Sequence, residues 1–86
     1  MYQIIYTKAA ARHAPLLKAA KLERNAKSLI AVLKQNPFQN PPPYEKLIGD
    51  LKQAYSRRIN SQHRLVYRVY EDEKIVKIIS MWSHYE

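Results

Sequence analysis

Cysteine is absent from this 86-residue chain. That removes disulfide bonds, thiolate metal sites and cysteine nucleophiles from consideration, and it is compatible with a reducing compartment. Glycine occurs once, at Gly49 before Asp50, so composition asks for a positive-φ turn at a single place. Long apolar runs are missing too. The opening Met1 to Tyr6 is too short for a secretion signal, and no later stretch approaches the roughly 20 residues that span a bilayer, so a soluble, cytoplasmic protein with no membrane contact is expected. Acidic residues are scarce, 7 against 15 Lys and Arg, a formal charge of +8. Such an imbalance attracts polyphosphate or an acidic protein. The length suffices for one domain, residues 1–86, and not for two.

What is present divides into a helical half and a strand half. Tyr2 to Tyr6 suits a short strand, and Thr7 is placed to cap the helix that follows. That helix is expected from Lys8 to about Leu22, kinked or broken at Pro15, whose missing N–H and ring clash act on the carbonyl of Ala11. A second helix, Glu23 to about Gln35, carries Ala26, Leu29, Ile30 and Leu33 on one side and is stopped by Asn36-Pro37. Pro37, Pro41, Pro42 and Pro43 then predict a stiff, extended connector. Three strands are expected next, Tyr55 to Ile59, His63 to Tyr70 and Lys74 to about Trp82, joined by three-residue loops.

Those loops predict a register in which Arg58 faces Arg64 and Arg64 faces Ser80. Odd-numbered residues, including Tyr55, Ile59, Leu65, Tyr67, Val69, Ile75, Ile79 and Met81, then form the core face. The even face carries Arg58, Arg64, Arg68, Ser80, Trp82 and His84, a concentration of positive charge suited to phosphate or simply to solvent. His63 falls on the odd face and is read as a packed histidine, His13 is left without a role, and Lys18, Lys21 and Lys27 are read most simply as a solvated helix face, with contact to RNA phosphates as the functional alternative.

Tyr44-Glu45 through Leu47, Ser56-Arg57-Arg58-Ile59, His63-Arg64-Leu65-Val66-Tyr67 and His84-Tyr85 together resemble the Txe/YoeB ribosome-dependent mRNA interferases, within the wider group of RelE-like toxins. The resemblance runs over nearly the whole chain and is most specific in its C-terminal half. It implies an α+β, microbial-RNase-like fold, with an N-terminal strand and two helices on one face of a mainly antiparallel sheet of four or five strands. It also implies a metal-independent endoribonuclease without cofactor, acting on mRNA at the ribosome and paired with a cognate antitoxin, with a homodimer possible inside that complex. Matched position by position, Glu45, Arg64 and His84 take the catalytic places. Arg58 and Tyr85 take substrate-contacting ones. Where the family has a lysine three residues after the glutamate this chain has Ile48, so either Lys46 or Lys52 takes over that contact or the contact is missing, and Glu86 extends past the His-Tyr end.

The chemistry suits these residue types. RNA is cut without metal when its 2′-OH attacks the adjacent phosphorus, with Glu45 taking the proton, His84 protonating the departing 5′ oxygen and the two arginines stabilising charge on the phosphoryl oxygens. Nearby arginines should lower the pKa of His84 from its reference of about 6.5, and a bound phosphodiester should restore it. Trp82 and Tyr85 are candidates for stacking on bases, and Trp82 equally for a structural role or a partner contact. The alternatives are a toxin of the same fold that binds a target such as a topoisomerase without cleavage, and a nucleic-acid-binding module with no toxicity.

Overall fold

The computed structural model describes residues 1–48 and 53–84, the last of them, His84, by its backbone alone. The expected turn at Gly49-Asp50 and the residues Lys52, Tyr85 and Glu86 lie outside the described residues. The element order is β1 (Gln3–Tyr6), α1 (Lys8–Ala19), α2 (Glu23–Gln35), β2 (Glu45–Lys46), β3 (Ala54–Arg58), β4 (His63–Tyr70) and β5 (Ile75–His84). The strands form one sheet in the order β1-β5-β4-β3-β2, antiparallel except for the parallel β1–β5 pair. The expected α+β architecture is therefore the observed one, with five strands.

Local chemistry explains the helix ends. Thr7 Oγ1 accepts from the Ala10 amide at 3.0 Å and donates to the Ile79 carbonyl at 3.0 Å, so it caps α1 and ties its start to β5. Pro15 does not break α1. Both Pro15 and Ala11 are exposed, so the carbonyl that loses its partner is at the solvent side. The helix ends earlier than expected because Lys21 turns to φ 61°, with Lys21 N–H bonding the Lys18 carbonyl and Leu22 N–H the Leu17 carbonyl. This is a Schellman ending with lysine where glycine is usual. α2 keeps its expected bounds, and the Asn36 side chain accepts from the Phe38 amide just beyond it.

Ala10 and Leu17 of α1 and Ala26, Leu29 and Leu33 of α2 bury against Ile59, Leu65, Tyr67, Val69, Val76, Ile78 and Met81. Each fully buried Leu, Ile or Val contributes about 1.5–3 kcal/mol. On β5 the core residues are Val76 and Ile78, not the expected Ile75 and Ile79. The β4–β5 connection is one residue longer than expected, a turn over residues 71–74 in which Lys74 adopts φ 56°, so Tyr70 pairs with Ile75. One added residue reverses which side chains face the core. Two irregularities farther along, between Arg64 and Val66 and between Val66 and Tyr67, then move the partner of Arg64 to Ser83, replacing the expected Ser80.

Candidate active site

Glu45 stands opposite Ser56 and Lys46 opposite Tyr55 where β2 meets β3. Two residues beyond Ser56, Arg58 lies opposite Arg64, as the sequence register predicts. Residues directly opposite, or two apart on one strand, share a face. Glu45, Ser56, Arg58 and Arg64 therefore share the face turned away from the helices. Val66 and Ser80 continue the Glu45–Ser56 row and Ser83 continues the Arg58–Arg64 row. Glu45 and Arg58 are exposed and Arg64 is half-buried. A cleft of about 40 Å³ is lined by Pro43, Tyr44, Glu45, Ser56 and Arg58. The Ser56 hydroxyl is buried at this face with no hydrogen-bond partner among the described residues.

Arg57 is what brings Glu45 to this face. It is 1% exposed, and its Nε donates to the Tyr67 hydroxyl at 3.1 Å while its terminal nitrogens donate to the carbonyls of Pro37 and Gln39, both at 2.9 Å, and of Pro42. The Tyr44 ring lies 4.9 Å from the guanidinium carbon, and Tyr67 passes its own proton to the Pro37 carbonyl at 3.0 Å. The proline-led connector is thus curled, not extended, because three of its carbonyls converge on one buried cation. Its last turn delivers Tyr44 onto Tyr55 in an edge contact of 5.8 Å and leaves Glu45 paired with Ser56. Burial raises the pKa of the Tyr67 phenol, and the Arg57 charge partly opposes that shift. Alternation along Ser56-Arg57-Arg58 already places Arg57 on the core side, and an arginine at a core position was the signal for its role.

Other expected site residues are placed differently. Lys46, opposite Tyr55, belongs to the face opposite that of Glu45. Trp82 is not on the arginine face. It is half-buried against the core, with its ring centroid 4.1 Å from that of His63, because the β5 irregularities bring Met81 and Trp82 to the same side. His63 is packed as expected, 8% exposed, with Nδ1 3.2 Å from Asn60 Oδ1. The backbone of His84 pairs with that of His63, one step beyond the Arg64–Ser83 pair. His13 has a partner that the sequence did not reveal: its Nδ1 accepts the Met81 amide at 3.1 Å, and burial, aided by the Arg12 charge, lowers its pKa from 6.5. Lys27 is exposed and pairs with Glu23 at 3.4 Å.

A sequence model described as the YoeB-like toxin of bacterial type II toxin–antitoxin systems matches residues 16–85. Toxin YoeB of Mycobacterium bovis is 38% identical over 65 residues, which are 76% of this chain and 74% of that protein. Among solved structures, the YoeB/ParE toxin from Agrobacterium tumefaciens superposes with a TM-score of 0.85 at 28% identity, over 96% of this chain and 99% of that one. The toxin–antitoxin complex of YoeB and YefM from Staphylococcus aureus gives a TM-score of 0.80 at 30% identity, over 99% of each chain.

Proposed function

The chain belongs to the YoeB-like toxins of bacterial type II toxin–antitoxin systems, and from that premise we propose that it is an endoribonuclease that cleaves mRNA on the ribosome and so stops translation. The observation that supports this reading most is the shared sheet face of Glu45, Arg58 and Arg64, where the Glu45 carboxylate and the Arg58 guanidinium line one cleft and Arg64 stands opposite Arg58 on the neighbouring strand. In this proposal Glu45 takes the proton from the 2′-OH as that oxygen attacks phosphorus. Arg58 and Arg64 stabilise the charge that grows on the non-bridging oxygens, and His84 gives a proton to the departing 5′ oxygen. The products are a 2′,3′-cyclic phosphate and a 5′-OH, with every proton accounted for and no metal required. Tyr85, carried over by the resemblance, contacts the nucleotide, and Lys52 is the candidate to stand in for the family lysine that Ile48 replaces.

A cytoplasmic site of action and a cognate antitoxin follow from the same reading. The antitoxin presents an acidic segment to the arginine face, for which the +8 charge of the chain is suited. The test is to map RNA 5′ ends after brief induction of the toxin, with Glu45→Ala as control. Cuts confined to translated regions and absent in the control are the expected result. Growth arrest by Glu45→Ala without cleavage would transfer the assignment to a binding toxin.

A further inference from the structure

The arginine face does not end at Arg64. Arg68, four residues farther along β4, lies on the same face, opposite Ala54 on β3 and opposite Lys77 on β5. Two cations are therefore side by side on neighbouring strands, an arrangement that is unfavourable without an anion between them. Neither makes an ion pair among the described residues. The side chain of Arg68 is half-buried, and its Nε is buried with no hydrogen-bond partner among the described residues. An arginine stem packed down in this way holds its guanidinium end in a fixed place, with less side-chain freedom left to lose on binding.

The ground between the two cationic pairs is low. Ala54, Ser56 and Val66 are buried and Ser80 is half-buried, so short side chains form a floor from which the long basic ones rise. Arg64 and Arg68 are separated by about 13 Å of strand, four residues at roughly 3.3 Å each. An extended single strand covers that distance in a few nucleotides.

We propose that Arg68 and Lys77 form a second phosphate-binding position, which holds single-stranded RNA a few nucleotides from the linkage held by Arg58 and Arg64. This rests on the nuclease reading above and adds to it a stretch of substrate beyond the scissile linkage. An RNA strand fits better than an acidic peptide because the two cationic pairs are spaced along one strand direction with only short side chains between them. A backbone that carries charge at regular intervals engages both pairs at once. The cost of like charges at Arg68 and Lys77 is then relieved by the same ligand that occupies the cleft beside Glu45.

The experiment uses the full chain and its Arg68→Gln/Lys77→Gln variant, which removes both charges and keeps the first two methylenes of each stem, and checks by thermal melting that both are equally folded. Fluorescence anisotropy measures binding of 2′-O-methyl oligoribonucleotides, which resist 2′-OH attack, in a dinucleotide and an octanucleotide length over a range of potassium chloride concentrations. A polyglutamate peptide is measured in parallel. The variant is expected to bind the dinucleotide as the parent does and to bind the octanucleotide roughly tenfold more weakly. Its slope of log K against log salt should be shallower by about 0.7 for each phosphate that the variant no longer neutralises. An unchanged octanucleotide slope overturns the proposal, as does an equal loss for both lengths. A loss confined to polyglutamate overturns it in favour of an acidic protein segment. Because cleavage is not read, failure of this binding position and failure of the nuclease reading in the Glu45→Ala test are seen in separate measurements.

Discussion

Arg58 and Arg64 face each other directly across β3 and β4. Like charges in this relation destabilise a strand pair by roughly 0.2–1 kcal/mol, and an oxyanion bridging them reverses the sign. Inorganic phosphate is therefore expected to raise the melting temperature more than sodium chloride of equal ionic strength. In Arg58→Gln that difference should shrink, and cleavage should fall by about 10²-fold or more, the usual loss when a group stabilising transition-state charge is removed. Equal responses to phosphate and chloride in the parent protein would show that the pair does not bind an oxyanion.

Arg57 makes a different prediction, because it is a buried cation satisfied by neutral oxygens. Replacing it with Met leaves the Gln39 and Pro42 carbonyls and the Tyr67 oxygen without their donor, and leaves the Pro37 carbonyl with the Tyr67 hydroxyl alone. A loss of about 2–4 kcal/mol in urea unfolding is expected, since hydrogen bonds to a charged group are worth about 1.5–3 kcal/mol each and water can reach part of the connector. Arg57→Lys should recover only part of this, because an ammonium group lacks the fork that reaches several carbonyls in different directions. Full stability in Arg57→Met would mean that the connector holds its shape without the guanidinium.

The contrast between these two arginines also shows what was legible in the residues. The pairing of Arg58 with Arg64 could be read because a short loop fixes register, and Asn60 accepts from the amides of Gln62 and His63 to close it. The β4–β5 register could not. Lys74 adopts positive φ without being glycine, so nothing in Glu71-Asp72-Glu73-Lys74 announced a turn longer by one residue. That single step exchanged Ile75 and Ile79 for Val76 and Ile78 in the core, and with the later irregularities it turned Trp82 toward His63. The helices were legible from their apolar spacing, whereas the curled proline connector depends on hydrogen bonds that reach across 15 to 20 residues of sequence to Arg57. Composition suggested stiffness there and had no access to the cation that bends it.

His13 gives the fold a pH dependence whose sign is fixed. Its pKa is lowered from 6.5 in the folded state, so as pH falls through 6.5 the unfolded chain takes up a proton that the folded chain resists. Unfolding free energy should therefore decline below about pH 6.5 and stop declining, for this group, once pH passes below the lowered folded value. His13→Gln keeps an acceptor for the Met81 amide without a titrating group, so it should lose less stability than the parent as pH falls below 6.5. Urea unfolding of both proteins at a series of pH values measures the two slopes. Identical slopes across that window would contradict the shift.

Lys21 carries a local cost that can be removed. It holds φ 61° in the Schellman ending of α1, where a side chain beyond Cα crowds the carbonyl, and it is exposed with no hydrogen bond from its ammonium group among the described residues. Lys21→Gly is expected to stabilise the protein by about 0.5–1 kcal/mol in chemical denaturation, with cleavage unchanged. Destabilisation on this change would mean that the unfolded chain gains more freedom from glycine than the turn gains relief.

Ile48 bears on how tightly substrate is held. It is 96% exposed, three residues after Glu45, at the position where the resembling family has lysine. An apolar side chain there gains nothing from water and supplies no charge to a phosphate, so under the proposed function this position adds nothing to the cations that hold the substrate strand. Ile48→Lys is therefore expected to tighten binding of a 2′-O-methyl oligonucleotide severalfold at low salt and to steepen the slope of log K against log salt by about 0.7. Ile48→Gln, polar but uncharged, separates this from the mere removal of an exposed apolar group and should leave the slope as it is. If lysine and glutamine behave alike, position 48 does not face the phosphate backbone, and the loss of the family lysine has no electrostatic consequence for this chain.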